Sequence, residues 1–205
     1  MRRKRNKYLI RFFPFLLLFV LPFSGCGTEG KTEEEHTAGV FAMGTYMTLT
    51  AYGESAEAAL TCSENRIKEL EALWSTTDEN SDIYKVNQSD GEPTEVSGET
   101  AEILRFALDM ADQTKGALDP TISPIVTAWG FISGEYRIPA EDELTDLLQN
   151  IDYEKVLLEE NLVTLPDGMQ LDLGAAGKGY TGDIIAELLK EQGVTSALLD
   201  IGGRC

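Results

Sequence analysis

The stretch LDLGAAGKGYTGD, Leu171 to Asp183, sets four glycines around Lys178, with Asp172 ahead of them and Asp183 behind. Glycines beside a lysine suit an oxyanion. Backbone N–H groups can come close where no Cβ intervenes, and the ammonium adds a point charge. Two phosphate-binding patterns do not fit. A P-loop needs a longer spacer before its Gly-Lys pair and then Ser or Thr for magnesium, whereas only Ala175-Ala176 separate Gly174 from Gly177-Lys178, and Gly179 follows. The spacing of Gly174, Gly177 and Gly179 also fails the dinucleotide fingerprint G-x-G-x-x-G. What remains is a strand, Met169 to Leu173, entering a glycine turn that opens a helix, with Lys178 beside an anion-binding concavity. An acid at Asp172 is not there for phosphate itself; it suits a sugar or base donor, or holds the loop. The competing reading is a plain strand-to-helix turn with a solvated lysine.

Other chemistries are excluded early. The single histidine, His36, lies in the polar run GTEGKTEEEHTAG from Gly27 to Gly39, outside any expected core. No Ser-His-Asp or Cys-His arrangement has a usable histidine, and a His-rich zinc site lacks ligands. Acids outnumber bases, 35 Asp+Glu against 17 Lys+Arg. Such a surface disfavours nucleic acid and anionic headgroups, whose phosphates need cations.

The elements that must position these residues follow a leader. MRRKRNKYLIRFFPFLLLFVLPFSGC reads as a basic segment, an apolar run from Phe12 to Phe23, and small residues before Cys26. The run is short and interrupted by Pro14 and Pro22, a poor membrane span. Phe23-Ser24-Gly25-Cys26 resembles a lipobox, in which Cys26 is diacylated and anchors the protein at the extracytoplasmic face of a bacterial membrane. The expected organisation is a lipoprotein signal peptide over 1–25, an acidic tether over 26–39 and one folded domain over 40–205. Without the leader, 11 basic face 35 acidic residues, a charge near −24. Of the three cysteines, Cys62 falls in a helical pattern and Cys205 is last, so no disulfide framework is implied.

Within the domain, Val40 to Gly53 is β-rich, and Ser55 to Trp74 carries apolar residues at helical spacing. Ser97 to Gly116 opens with a capping pattern and ends at glycine. Pro139 to Asn150 suits a helix; Val156 to Leu158 and Leu162 to Leu165 suit two short strands. Tyr180 to Gly193 suits a helix with Asp183 in its first turn, and SALLDIG a buried strand. Strands and helices in this order predict an α+β fold, a mixed sheet layered with helices.

Four stretches together carry a family likeness: FAMGTYM around Met43, KGALDPTISPIVTAWGF with Asp119-Pro120-Thr121, the glycine-lysine stretch, and LLDIGG at Leu198 to Gly203. Their order and spacing resemble the ApbE-type flavin transferases, exported lipoproteins of the thiamine biosynthesis lipoprotein group, with a T-fold-like domain. DENSDIYKVN and the lipobox fit the same layout. The resemblance implies magnesium-dependent transfer of FMN from FAD to a Thr or Ser hydroxyl of an acceptor protein, a redox-pump subunit type, with release of AMP. FAD pyrophosphatase activity, or a non-catalytic lipid-anchored flavin-binding fragment, are the alternatives. The likeness assigns Met43, Ala117, Leu118, Asp119, Asp172 and Lys178 to FAD, and the main-chain carbonyl of Ala175 to Mg²⁺; it assigns no catalytic residue. Met43 could equally be a core thioether, and Asp119 a turn residue before Pro120. Trp129 and Phe131 are expected to pack against the loop.

The chain departs from the family at Trp74-Ser75-Thr76-Thr77, where many members carry an aromatic residue. The family also continues past the glycine pair with a H-x-x-D-P-x-x-G segment and a later Asp and Thr that ligate magnesium. The 205 residues are therefore expected to be the first part of a longer domain, binding FAD weakly and with little gain from Mg²⁺ on their own.

Overall fold

The computed structural model describes residues 34–202. The leader, Cys26 and most of the tether lie outside the described residues, as do Gly203, Arg204 and Cys205.

The polypeptide enters as a hairpin, β1 (Glu35–Ala42) and β2 (Thr45–Tyr52), closed by the pairing of Ala42 with Thr45. The two turn residues, Met43 and Gly44, have φ of 50° and 70°. Both values are positive, the geometry that matches a two-residue turn to the twist of its strands. β1 starts at Glu35 and includes His36, so the tether expected to reach Gly39 gives way to ordered strand several residues earlier. The period-2 pattern turns Val40, Ala42, Met47, Leu49 and Ala51 inward. Full burial of Leu49 alone contributes roughly 2 kcal/mol. β6 (Ser196–Asp200) pairs antiparallel with β2 and completes the order β1-β2-β6. The expectation of a buried strand there is corrected: β6 is an edge among the described residues, and Leu198 is 69% exposed.

Helix α1 (Ala56–Trp74) follows the predicted span. Its first turns, through Ala56, Ala59, Leu60 and Ile67, cover the hairpin together with Ile185 and Leu189 of α6 (Gly174–Glu191). Its last turn, Leu70 and Trp74, enters a second core shared with α2 (Asp82–Asn87) and α3 (Gly98–Thr114). A small sheet in the order β3-β5-β4 closes this core: β3 (Thr94–Glu95), β5 (Leu162–Thr164) and β4 (Leu157–Glu159). Short helices α4 (Ser123–Ala128) and α5 (Glu141–Leu147) fill the connection between α3 and β4. The fold is α+β, but both sheets are antiparallel, and the parallel pairing seen is one isolated bridge, Ile122 to Gln170.

Local chemistry explains most boundaries. The Ser97 hydroxyl accepts from the Thr100 N–H at the start of α3, which ends in left-handed Lys115 and Gly116. Two expectations fail. Met169 to Leu173 forms no strand beyond the Gln170 bridge, because its neighbour, the 120–122 segment, offers only a short pairing surface. The glycine turn is not a turn: α6 already begins at Gly174, and none of the four glycines has positive φ. Asp183 is therefore mid-helix. Burial overrides propensity here, since Gly177, Thr181, Ile185 and Leu189 form one stripe at four-residue spacing against the cores. Phe131 does not pack on the loop as expected; it is 62% exposed and meets Tyr136 edge-on.

Candidate functional site

The two cores meet at Met43, which packs against both. There the hairpin turn, the end of α1 and the start of α6 enclose a cavity of about 260 Å³. Its lining includes Met43, Glu71, Trp74, Asp172, Gly177 and Lys178. Of the residues assigned from the sequence, Met43 is thus brought from far along the chain to Asp172 and Lys178, which share one loop-helix segment. The volume lies below the roughly 300–1,000 Å³ usual for drug-sized ligands, so the cavity has room for only part of a larger ligand.

Each wall is fixed by named contacts. The Met43 N–H donates to Glu71 Oε1 at 2.6 Å, and the Thr181 hydroxyl points to Met43 Sδ at 3.6 Å. The Ser75-Thr76 wall is an ST turn: Ser75 Oγ accepts from the Thr77 and Asp78 N–H groups, and the Ser81 hydroxyl donates to the Ser75 carbonyl. No aromatic side chain follows Trp74 in this wall, as the departure at Thr76-Thr77 implied. Trp74 itself is 7% exposed and stands edge-on to Tyr180, with ring centres 6.1 Å apart. Burial pushes the Tyr180 phenol above its ordinary pKa, with Glu102 and Asp183 adding to the effect against Arg105, so the hydroxyl stays protonated.

Asp172 is the most constrained floor residue. Its N–H donates to the Pro120 carbonyl at 2.8 Å, and its Oδ1 accepts from the Gly174 N–H at 2.7 Å. The carboxylate therefore ends the loop at the start of α6, where the helix dipole favours negative charge. Lys178 lies one turn further on, half-buried. The arrangement offers an anion the positive end of an 18-residue helix and an ammonium, and offers hydroxyl or N–H donors two carboxylates, Glu71 and Asp172.

The remaining assigned residues lie outside the lining. Ala117 is exposed, and the Leu118 N–H donates to Thr114 Oγ1. Asp119 is occupied: Oδ1 accepts from the Thr121 N–H and hydroxyl, and Oδ2 from the Tyr153 N–H. Its visible work is to hold the segment whose Pro120 carbonyl receives Asp172. Ala175 is exposed in the first turn of α6. A helical carbonyl already accepts from the residue four positions on, and no group of three or more His, Cys, Asp or Glu that could hold a metal occurs among the described residues. Among the described residues the cavity offers Glu71 and Asp172 as carboxylates, so the near-octahedral shell of Mg²⁺ would need further oxygens from water or phosphate.

Sequence reasoning missed Glu71, Asn87 and Thr181. Glu71 had a signal, an acid on the apolar stripe of Ile67, Leu70 and Trp74. Asn87 had none at a distance, because its partner is Leu171.

Comparison with known proteins settles the lineage. The ApbE family model matches residues 43–205. The chain belongs to the ApbE family. The FAD:protein FMN transferase of Vibrio cholerae is 29% identical over 198 residues, covering 91% of this chain and 58% of that protein. The FAD:protein FMN transferase of Escherichia coli K12 is 28% identical, with coverage of 92% and 58%. Among solved structures, the ApbE protein of Thermotoga maritima superposes with a TM-score of 0.76 at 26% identity, covering 83% of this chain and 60% of that one. The flavin transferase ApbE of Vibrio cholerae gives 0.76 at 26% identity, with coverage of 83% and 58%. This ApbE chain thus spans about 58% of the length of these curated relatives.

Proposed function

We propose that the cavity binds the pyrophosphate region of FAD and that the protein is an FAD:protein FMN transferase. The observation that carries the reading is the convergence of Met43, Asp172 and Lys178 on one cavity at the N-terminus of α6. In the reaction, an acceptor Thr or Ser oxygen attacks the phosphorus on the FMN side. A new P–O bond forms, the P–O bond to the bridging oxygen breaks, AMP leaves with that oxygen, and the hydroxyl proton passes to solvent or a base. Lys178 and the α6 N-terminus stabilise charge gathering on the phosphate oxygens. Asp172 takes a donor of the nucleotide. Magnesium, if bound, would draw on Glu71 and Asp172 and on the phosphate oxygens, and would neutralise charge on the pyrophosphate.

The acceptor is proposed to be a redox-pump subunit, and Cys26 the site of a lipid anchor that holds the enzyme at the extracytoplasmic membrane face. Incubating the protein with FAD, Mg²⁺ and an acceptor domain tests the chemistry by mass spectrometry. An acceptor heavier by one FMN, with AMP released, is the expected result. AMP with free FMN would make the protein a hydrolase, and FAD recovered intact would make it a binder; either outcome overturns the transferase reading.

A further inference from the structure

Met43 is the residue whose conformation most needs explaining. It sits at φ 50° in the hairpin turn, where the neighbouring Gly44 adopts φ 70° without steric cost. A side chain in the left-handed region is sterically strained and persists where its surroundings over-determine it. Those surroundings are visible. The Met43 N–H is taken by Glu71 Oε1 at 2.6 Å, from α1, and its sulfur faces the Thr181 hydroxyl at 3.6 Å, from α6. Thr181 is fully buried and Glu71 half-buried at the cavity. A carboxylate accepting from a backbone N–H makes a stronger bond than a neutral acceptor, and this one spans 28 residues of chain. Glu71 also occupies an apolar stripe between Ile67, Leu70 and Trp74, all buried, where an acid has no packing reason to be.

We propose that Glu71 is a positioning residue of the flavin-nucleotide site. Its carboxylate clamps the Met43 N–H, holding the β1–β2 turn against α1 so that Met43 forms a fixed wall of the cavity, and Thr181 of α6 anchors the Met43 sulfur. The inference rests on the FAD reading of the cavity for its consequence, but not for the clamp itself. A turn left free to relax would let the Met43 wall move and would charge each binding event with re-ordering it.

Three substitutions separate reach, acceptance and charge. Glu71→Gln keeps the length and an oxygen acceptor but loses the charge. Glu71→Asp keeps the charge but is one methylene too short to reach. Glu71→Ala removes both. Two readouts are taken on the full chain: amide hydrogen exchange at Met43 without ligand, and FAD affinity by fluorescence titration. The clamp predicts Met43 exchange faster by roughly tenfold in Glu71→Asp and Glu71→Ala, and within about threefold of wild type in Glu71→Gln. FAD affinity should follow the same order, falling roughly tenfold for Asp and Ala and less than about threefold for Gln. If Ala unfolds the protein, the Gln and Asp pair still decides.

Unchanged Met43 exchange in Glu71→Asp would overturn the clamp. Altered exchange with unaltered FAD affinity would overturn the positioning role, as would Gln losing affinity as far as Asp does. Wild-type protein that shows the exchange pattern but binds no FAD would support the clamp while removing the FAD reading, so the two failures are distinct.

Discussion

Asn87 and Leu171 grip one another across 84 residues: the Asn87 amide nitrogen donates to the Leu171 carbonyl at 2.9 Å, and the Leu171 N–H donates to Asn87 Oδ1 at 2.7 Å. One side chain thereby satisfies both polar groups of the residue that precedes Asp172. Since 169–173 has almost no sheet partner, this clamp does what a strand ladder would otherwise do. Asn87→Ala is expected to cost roughly 2 kcal/mol in urea unfolding, the sum of two ordinary hydrogen bonds. FAD affinity should also fall, through Asp172. Stability within about 0.5 kcal/mol of wild type would mean that water replaces the amide at no loss.

The four glycines of α6 are not equivalent. A Cβ on Gly174 would stand 2.8 Å from Asp172 Oδ1, whereas one on Gly179 would meet nothing within 4 Å. Gly174→Ala should disturb the Asp172 bond and weaken FAD binding several-fold. Gly179→Ala should raise stability by about 0.5–1 kcal/mol, as alanine does in a helix interior. Thermal melts and FAD titrations of both variants check this, and a destabilised Gly179→Ala would contradict the helical assignment.

Asp82 sets an acid limit on stability. Burial alone would raise its pKa, but hydrogen bonds from Ser97 and Thr100, with the Lys85 charge, outweigh burial and hold it below the ordinary 3.8. A depressed folded-state pKa contributes stability that is present above the unfolded value and is lost as pH falls through the folded one. Unfolding free energy should therefore drop as pH falls below 3.8, and drop less in Asp82→Ala. The same variant should lose roughly 2–3 kcal/mol near neutrality. Parallel pH profiles for the two proteins would disprove the assignment.

Cys26 lies outside the described residues, and its role rests on the sequence ahead of it. Metabolic labelling with a fatty acid should mark the wild-type protein and leave Cys26→Ser unlabelled. A labelled Cys26→Ser protein would show that another residue carries the acyl group, and an unlabelled wild type would show that there is no lipid anchor.

How far the sequence went can be read from α6. Its end, near Gly193, was legible because glycine at positive φ punctuates helices. Its start was not, because Gly177 and Thr181 carry no large apolar side chain to mark a buried face, although they continue the stripe of Ile185 and Leu189. Small residues there allow close approach, and Gly177 lies against Trp74. The alternation in β2 and the helical spacing of α1 were legible for the opposite reason: each wrote its buried face in large apolar residues. Met43, Asp172 and Lys178 could be named in advance from the family's motifs. Glu71 and Asn87 act through backbone groups of distant residues, which no local pattern reports.

The central claim is that the cavity takes the pyrophosphate of FAD against Lys178 and the α6 N-terminus. Calorimetric titration tests it with two ligands, FAD and riboflavin, against wild type and Lys178→Met. Loss of one charge-assisted contact to phosphate should weaken FAD binding about tenfold, some 1.4 kcal/mol, while riboflavin, which has no phosphate, should bind both proteins alike. Equal FAD affinity in the two proteins, or an equal loss for riboflavin, would contradict it.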